Sequence, residues 1–489
     1  MVVHAVEPLF QVDDKRGAPL QLSEYQWSGN PRGMHNEGSF KPFYPERCTA
    51  LQLGWYKFVC GGEEYVPQCQ WLLQNNITPI IRIYRATPGA MPVDDDIRRQ
   101  WDQYLAAGCK WFEFYNEPNL SDPEWPAGIW VHHQNIDEVI RPLCENWLVF
   151  AEYMVSRGAY PAFPALSESA NESDSAVLWM DALLGYMRDN LRDRFLHVLN
   201  NGTWIATHPY TLNHFYQEEP GRPTVQRPYQ SQNGTETGWH FEYPYDPVTQ
   251  SKDPGRNVFS PPYGDPNGVL AMGMAFQQRL SDWFGVGPLP VVGTEGGVYP
   301  IPVNGPEQPD PKYGAYDLRS HAEATVAMFN WIATDTPEWF LGSCAWKEDL
   351  YFNQNLPAIY RMREVQQIWR FGGPVVVGRG PGPVQGEPDI HAVILAPGVE
   401  PAWFFEAAQS YWNIFRPLVT TRWDFIPFIP SDRSLGVTII TPQNMVETFV
   451  QTIQTQYPNV LFDMMIVSGD RSAIRDTLNA RVWSNRRFG

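Results

Sequence analysis

Short apolar runs alternate with amphipathic stretches along the first two-thirds of the chain. Each run is nearly continuous in branched and aromatic residues, which is typical of parallel strands covered on both faces. The stretches between them carry apolar residues at helical spacing. Eight strands are predicted in this way, within residues 32–38, 54–62, 77–85, 111–120, 160–168, 203–214, 288–300 and 338–350.

Eight strand–helix units are the number that closes a (β/α)8 barrel, which we predict over residues 31–370, after an N-terminal extension at 1–30. Residues 371–389, FGGPVVVGRGPGPVQGEPD, are rich in Gly and Pro and predict a linker. Residues 390–489 then predict a smaller α/β domain. Its predicted strands are HAVILAP, RWDFIP, GVTIITP and VLFDMMIV, with helices near 401–415, 443–456 and 470–482. This domain carries no Gly-rich phosphate-binding pattern, so we expect it to be structural or to flank the substrate.

Charge and composition exclude several classes of partner. The formal net charge of −18 argues against nucleic acid and anionic membranes, since both attract basic surfaces. No run of 18 apolar residues occurs, and the first residues lack the features of a signal peptide. We therefore expect a cytoplasmic protein, or a secreted one if a signal peptide has been removed. The 6 cysteines are dispersed without a CxxC pair, so neither a metal site nor a cofactor is expected, and the oligomeric state stays open.

Two carboxylates stand at predicted ends of barrel strands. Glu117 follows WFEFYN at the end of strand four, and Glu295 follows VVGT at the end of strand seven. The carboxyl ends of barrel strands form the site in this fold, so the two side chains should meet there. Such a pair is what glycosidic bond cleavage requires, one group to protonate the leaving oxygen and one to attack or stabilise the anomeric carbon. The alternatives are a helix N-terminal carboxylate for Glu117 and a turn residue for Glu295.

The motif FYNEPN (114–119) resembles the Asn-Glu-Pro signature of the clan A retaining glycoside hydrolases. GTEGG (293–297) is similar to the strand-seven segment of that clan. The resemblance covers roughly residues 30–370. It implies that Glu117 is the acid/base, that Glu295 is the nucleophile and that Asn116 donates a hydrogen bond to the sugar 2-hydroxyl.

Two further stretches resemble the same clan. ATHPY (206–210) is similar to the strand-six region, which implies that Tyr210 places its hydroxyl beside the nucleophile; for His208 a structural role and a functional one stay open. CAWKED (344–349) is similar to the strand-eight region, which implies that Trp346 forms the floor of the subsite for the non-reducing sugar. FEFYNEPNL also resembles the family 39 β-xylosidases, and family 5 cellulases and mannanases share its tripeptide, but TEGG matches neither group. The sugar, the linkage and the choice between endo and exo action therefore stay open.

Three charged residues, Arg82, Lys57 and Glu113, fall inside strands that are otherwise suited to burial. An isolated buried charge is very costly, so these side chains should pair across the barrel or reach its mouth. We expect Arg82, near the end of strand three, to lie close to the site.

Aromatic residues are abundant, with 20 Trp, 23 Tyr and 26 Phe, which suits both core packing and stacking on sugar rings. The longest insertion, 211–266, is too aromatic for disorder and should form a wall of the substrate site, with Trp239 as its main candidate. An oligomer contact is the alternative. Trp125 or Trp130, both in EWPAGIW (124–130), is a candidate on the leaving-group side. The other aromatic residues of the insertion are Phe215, Tyr216, Tyr229, Phe241, Tyr243, Tyr245 and Tyr263.

Three functions can be weighed against these observations. The favoured one is a retaining glycosidase that cleaves β-linked oligo- or polysaccharides by double displacement. An inactive carbohydrate-binding barrel is the alternative, and the presence of both carboxylates argues against it. A metal-dependent hydrolase would need clustered His and Asp at strand ends, where only His208 and His35 are placed for such a role.

Overall fold

A computed structural model gives the fold of the chain in two compact units. The first contains most of the chain up to Val365, and the second contains Ser28–Pro31, Ile332–Thr334 and the chain from Gln366 onward. The structure describes residues 19–85, 89–121, 125–167, 172–212, 216–217, 238–241, 251–255, 268–298, 317–370, 375–376, 388–430, 433–467, 472–483 and 487–488. Among them, no helix is both long and apolar enough to span a bilayer.

Eight parallel strands close into a barrel in the first unit, which confirms the predicted (β/α)8 fold. They are β1 (Arg32–His35), β2 (Trp55–Cys60), β3 (Thr78–Ile83), β4 (Trp111–Glu113), β5 (Tyr160–Phe163), β6 (Trp204–Thr207), β7 (Val291–Gly293) and β8 (Phe340–Ala345). Strand β1 closes the barrel against β8, with Gly33 opposite Cys344. A Cβ on Gly33 would lie 2.7 Å from the carbonyl oxygen of Ser343 and 2.8 Å from Cys344 Sγ, so this seam requires glycine.

Helices follow the strands and bury one face against them. In Asp95–Ala106, the Asp94 side chain caps the first turn by accepting from the Ile97 N–H at 2.8 Å, and Ile97, Trp101 and Tyr104 form the buried face. The other α-helices of this unit are Pro45–Ala50, Val66–Gln74, Arg141–Ser156, Ala176–Asn190, Arg192–Asn200, Ala271–Phe284, Leu318–Thr334, Glu348–Asn353 and Pro357–Glu364. Short 3-10 turns lie at Leu22–Glu24 and Glu172–Asp174, and a π-helical turn lies at Ile136–Ile140.

The strands end earlier than the hydrophobic runs predict. Strand β4 stops at Glu113 and β7 stops at Gly293, so Glu117 and Glu295 lie on the loops that follow rather than on the strands. The predicted strands 203–214 and 288–300 each divide in two, and their outer pieces, Tyr210–Leu212 and Gly297–Val298, pair with each other in parallel outside the barrel. Prolines and glycines within the runs end the regular ladder, because they lack an N–H donor or favour a turn.

Large aromatic rings fill one layer of the barrel interior. Trp55, Trp111 and Trp204 come from alternate strands, β2, β4 and β6, and are essentially unexposed. Their rings meet edge to face, with centroids 5.0 Å apart for Trp55 and Trp111 and 5.1 Å apart for Trp111 and Trp204. The Trp55 Nε1–H donates to the carbonyl of Leu341 on β8 at 3.4 Å. Alternate strands thus supply one packed layer, as is usual in this fold.

The segment that precedes β1 packs below this tryptophan layer. The Tyr25 hydroxyl donates to the carbonyl of Thr203 at 2.9 Å, and its ring lies 5.9 Å from that of Trp111. Trp27 stacks on Trp55 at 5.3 Å. These rings cover the amino ends of the strands, which leaves the carboxyl ends for chemistry. Residues 1–18 of the predicted extension lie outside the described part of the chain.

The second unit contains a five-stranded sheet in the order β9-β13-β12-β10-β11, in which β9 alone is antiparallel to its neighbour. Its strands are β9 (Val375–Val376), β10 (Ile390–Leu395), β11 (Leu418–Thr420), β12 (Leu435–Pro442) and β13 (Leu461–Val467). Its α-helices are Pro401–Ala407, Gln409–Phe415, Val446–Gln456 and Ser472–Trp483, and 3-10 turns lie at Ile426–Phe428 and Gln443–Met445.

Two expectations for this unit need correction. The stretch RWDFIP was predicted to be a strand, but the strand lies earlier, at Leu418–Thr420, and Ile426–Phe428 is a 3-10 turn. Pro427 cannot donate a hydrogen bond to a strand ladder, which accounts for the shift. The strand Val375–Val376 falls within residues predicted to be a linker.

We expect Trp111→Ala to lower the free energy of unfolding of the barrel unit by about 3–5 kcal/mol, because the change leaves a cavity inside a closed layer. Urea unfolding followed by circular dichroism measures this loss. Trp130, which is 57% exposed, provides the control, and Trp130→Ala should cost less than about 1 kcal/mol. Equal losses in the two variants would contradict a packed aromatic layer.

Candidate active site

Glu295 lies two residues beyond β7 and is buried among polar side chains from three other strands or their loops. Its Oε1 is 3.1 Å from Arg82 Nη1 and 3.4 Å from His35 Nε2, and the Tyr210 hydroxyl donates to Oε2 at 3.3 Å. Burial acts to raise the pKa of Glu295, but the positive charges of His208 and Arg82 and the contact with His35 outweigh it and hold the pKa well below the usual range. The side chain is therefore a buried carboxylate anion.

His208 connects Glu295 with the second carboxylate. Its Nδ1 is 2.7 Å from Glu117 Oε1, and its Nε2 is 3.8 Å from Glu295 Oε1. Burial acts to lower the pKa of His208, but the two carboxylates raise it above its usual value. The imidazolium form is favoured because both carboxylates attract its charge and because Nδ1 contacts Glu117.

The loop that carries Glu295 fits against the loop that follows β6. Gly296 has φ +127°, and a Cβ there would lie 2.6 Å from the backbone carbon of Pro209, so the position needs glycine. The Gly297 N–H donates to the carbonyl of Pro209 at 2.9 Å, and the Trp346 N–H donates to the carbonyl of Gly296 at 2.9 Å. These contacts hold Glu295 in place between the ends of β6 and β8.

The loop that carries Glu117 is fixed by side chains that follow it. Glu117 itself has φ 33°, a left-handed backbone conformation that is uncommon outside glycine. The buried Asn119 donates from Nδ2 to the carbonyl of Ser167 at 2.7 Å, and the Trp125 Nε1–H donates to the carbonyl of Pro118 at 2.8 Å. Asn119 is thus a supporting residue that the sequence analysis did not single out, although it completes the motif FYNEPN.

Trp346 and Asn116 lie at the edges of this group. The Trp346 ring is partly exposed, and its centroid is 4.6 Å from that of His35 and 6.3 Å from that of Tyr210. The backbone of Asn116 bridges to Ala165 beyond β5, and its side chain is partly exposed. Trp346 therefore lies on the Glu295 side, and Asn116 directly precedes Glu117.

An open pocket lies beside the end of β3. Arg82, Arg85, Tyr115, Asn116 and Trp125 contribute to its lining. The predicted candidates Arg82, Asn116 and Trp125 therefore share one cavity that reaches the partner of Glu295.

Trp239 does not join this group in the described part of the chain. It is 3% exposed, and it pairs with Gln217 in a short antiparallel ladder. The nearby Phe241 packs on Trp331 of the helix Leu318–Thr334, with ring centroids 5.7 Å apart. Phe215, Tyr229, Tyr243, Tyr245 and Tyr263 of the predicted wall lie outside the described residues.

The charges inside strands find partners, as expected. Lys57 and Glu113 form an ion pair within the barrel, and Arg82 pairs with Glu295. His35 is a partner of Glu295 that the sequence analysis considered only as a metal ligand. In the described ranges, no three His, Cys, Asp and Glu side chains are grouped to hold a metal ion. The site thus contains the carboxylate of Glu295, whose charge is neutralised by its neighbours, and the carboxyl group of Glu117. The imidazole of His208 lies between the two.

Comparisons with known proteins gave matches among solved structures only. No protein-family model matches the chain, and no curated protein matches it in sequence. One similar solved structure is a family 51 α-L-arabinofuranosidase from Bifidobacterium longum, with 12% identity over 69% of this chain and 72% of the other and a TM-score of 0.35. A second is a GH5-4 broad specificity endoglucanase from an uncultured bacterium, with 10% identity over 68% of this chain and 92% of the other and a TM-score of 0.29. A third is an exo-β-1,4-mannosidase from Opitutaceae bacterium strain TAV5, with 9% identity over 93% of this chain and 94% of the other and a TM-score of 0.31. Such values carry no argument about activity, so the function must be argued from the site.

The charge on His208 predicts how pH affects stability. A histidine whose pKa is raised by folding stabilises the protein below its unfolded pKa, about 6.5, and this contribution is lost as pH rises through the folded pKa. The loss of stability caused by His208→Asn should therefore be larger at pH 6 than at pH 9. Chemical denaturation of both proteins across this range measures the difference.

His321 provides a control of opposite sign in the same unit. Burial lowers the pKa of His321 to about 4, so its unfolded form takes up a proton near pH 6 whereas its folded form does not. The stability of the parent protein relative to His321→Asn should consequently rise with pH near neutrality. The same pH trend in both variants would contradict a charged His208.

Proposed function

We propose that the chain is a retaining glycosidase that cleaves β-linked oligo- or polysaccharides, with Glu295 as nucleophile and Glu117 as acid/base. The observation that carries this proposal is the unlike setting of the two carboxyl groups. Glu295 is buried beside Arg82, which keeps it ionised, whereas the Glu117 side chain is 15% exposed and adjoins His208. A nucleophile must be anionic, which matches the setting of Glu295, and Glu117, on the other side of His208, is the second carboxyl group that the role of acid/base requires.

The first step consumes the charge on Glu295. Its carboxylate attacks the anomeric carbon and forms an ester with the sugar, while Glu117 gives its proton to the leaving oxygen. Negative charge thereby moves from Glu295 to Glu117. His208 adjoins both groups, at 3.8 Å and 2.7 Å, so the same imidazolium neighbours the anion before and after the step.

The second step reverses these roles. Glu117, now ionised, takes a proton from water, and the water oxygen attacks the anomeric carbon and displaces Glu295. Two displacements at one carbon leave its configuration unchanged. The Tyr210 hydroxyl, which donates to Glu295 Oε2 at 3.3 Å, supports the carboxylate as it leaves.

The groups around the carboxylates support a sugar as the substrate. Trp346 offers a partly exposed indole face near Glu295, and Asn116 offers an amide next to Glu117. We assign Trp346 to stacking under the sugar that is transferred, and Asn116 to its 2-hydroxyl. Trp125 and Arg82, which line the adjoining pocket, are assigned to the sugar on the leaving-group side.

Substitution of each carboxylate separates the two roles. We expect Glu295→Ala to abolish hydrolysis of every nitrophenyl β-glycoside in a panel, because no covalent intermediate can form. Glu117→Ala should retain the first step for dinitrophenyl glycosides, whose leaving groups need no proton, and added azide should then yield a β-glycosyl azide. Rescue of Glu295→Ala by azide should instead yield the α-azide. Product analysis by NMR measures both outcomes.

Glu152→Ala is the control, since Glu152 pairs with Arg194 on the helical surface and its loss should leave turnover unchanged. The reverse pairing of azide products would show that the two roles are exchanged. Binding of β-glycans by the parent protein without any hydrolysis would favour a carbohydrate-binding barrel instead.

Retention itself is open to direct measurement. Proton NMR recorded during the first minutes of hydrolysis should show the β-anomer of the released sugar before mutarotation. This outcome corresponds to carboxyl groups about 5–5.5 Å apart, since an inverting enzyme needs a wider gap for water. Initial release of the α-anomer would refute double displacement.

A further inference from the structure

An ion pair inside the barrel takes no part in the proposed reaction. Lys57 on β2 and Glu113 on β4 contact each other through Nζ and Oε2, and their side chains are 0% and 2% exposed. Desolvation of two charges costs about as much as their attraction returns, and apolar residues of similar volume often stabilise a core equally well. The pair therefore calls for an explanation other than stability.

The strand register places the pair next to the partners of Glu295. Lys57 lies opposite His35 on β1, and Glu113 lies opposite Arg82 on β3. Residues opposite each other in neighbouring strands point to the same face of the sheet, so these four side chains point into the barrel. His35 and Arg82 are the two groups closest to Glu295 Oε1, at 3.4 Å and 3.1 Å.

Arg82 is subject to attraction from two carboxylates. It pairs with Glu295, and its charge also acts on Glu113. Burial acts to raise the pKa of Glu113, but the charges of Lys57 and Arg82 outweigh burial and lower the pKa. Glu113 Oε1 is buried and has no hydrogen-bond partner among the residues that the structure describes. Glu113 is thus an anion with a vacant acceptor, and Lys57 is the cation that neutralises it.

We propose that Lys57 is a positioning residue which, by neutralising Glu113, leaves Arg82 to hold Glu295 in its ionised, attacking form. This inference rests on the proposed role of Glu295 as nucleophile. Without Lys57, Glu113 becomes an uncompensated buried anion, and Arg82 is the next cation that acts on it. Arg82 would then be drawn from Glu295 toward Glu113, which lies opposite it on β4.

The proposal predicts an order among three variants rather than a single loss. Lys57→Met should slow formation of the glycosyl-enzyme and raise the pH of the acidic limb of kcat/KM by about one pH unit, because Glu295 loses Arg82, one of the two cations that lower its pKa. Lys57→Met/Glu113→Gln removes both charges, so the limb should return to that of the parent protein. Glu113→Gln alone removes the carboxylate that competes with Glu295 for Arg82, so it should not raise the pH of the acidic limb. Among the described residues, the charged and titratable groups that act on Glu295 or on its partners are His35, Lys57, Arg82, Glu113, Glu117, His208, Tyr210 and Cys344.

The experiment compares pH profiles of kcat/KM for a dinitrophenyl β-glycoside, whose cleavage needs no proton from Glu117 and so reports on Glu295. Arg481→Met is the matched control. Arg481 and Asp463 form a largely buried ion pair in the second unit, so this change likewise removes the cation of a buried pair, but in the unit that does not contain Glu295. It should lower stability without moving the limb. If Lys57→Met does not fold, Lys57→Gln, which keeps a donor toward Glu113 without the charge, replaces it.

Two results would overturn the proposal. One is an acidic limb in Lys57→Met at the same pH as in the parent protein. The other is a limb in Lys57→Met/Glu113→Gln that stays at the raised pH of Lys57→Met, because the pair would then act through packing and not through charge. If the parent protein cleaves no glycoside, the proposed function fails, but the positioning role is still measurable. The ionised Glu295 contributes stability that is lost as pH falls, and comparison with Glu295→Gln isolates this contribution. In Lys57→Met the loss should occur at a higher pH than in the parent protein. A loss at the same pH in both would refute the role of Lys57 without any measurement of activity.

Discussion

The negative charge on Glu295 is the constraint on which the rest of the site depends. A buried carboxylate loses its contacts with water, so polar groups of the protein must stabilise its charge. Four side chains do so here: Arg82, His35, His208 and Tyr210. Those groups come from β1, β3 and the end of β6, so they converge only because the strands close into a barrel. Gly296 then allows the loop after β7 to approach Pro209 closely enough to complete the arrangement.

The barrel interior changes character from one end to the other. Trp55, Trp111 and Trp204 form an apolar layer toward the amino ends of the strands, and the pair Lys57–Glu113 comes two residues later on β2 and β4. Because the tryptophan layer is closed, a charge above it cannot reach water from below and must pair with another side chain. The aromatic layer and the ion pair are therefore linked: dense packing at one end makes charge compensation obligatory at the other.

Much of the fold was predictable because its signals are local. Eight apolar runs with helices between them require only the period of the pattern, and the motif FYNEPN marks Glu117 by its neighbours in sequence. Partners set by closure of the barrel were not predictable: His35 is the last residue of an ordinary strand, and only the structure brings it within 3.4 Å of Glu295. Trp239 shows the same limit, since nothing near it in sequence reveals that its ring is 3% exposed.

A histidine suits the position between the carboxylates for a reason that follows from the reaction that we propose. Charge must pass from Glu295 to Glu117 and back, and a cation fixed to one of them would favour one stage over the other. Arg82 is such a cation, and it favours the ionised nucleophile. The Nδ1 of His208 is 2.7 Å from Glu117 and its Nε2 is 3.8 Å from Glu295, so the imidazolium neighbours whichever carboxylate is charged. Arg82 thus sets the starting state, and His208 keeps the two stages close in energy.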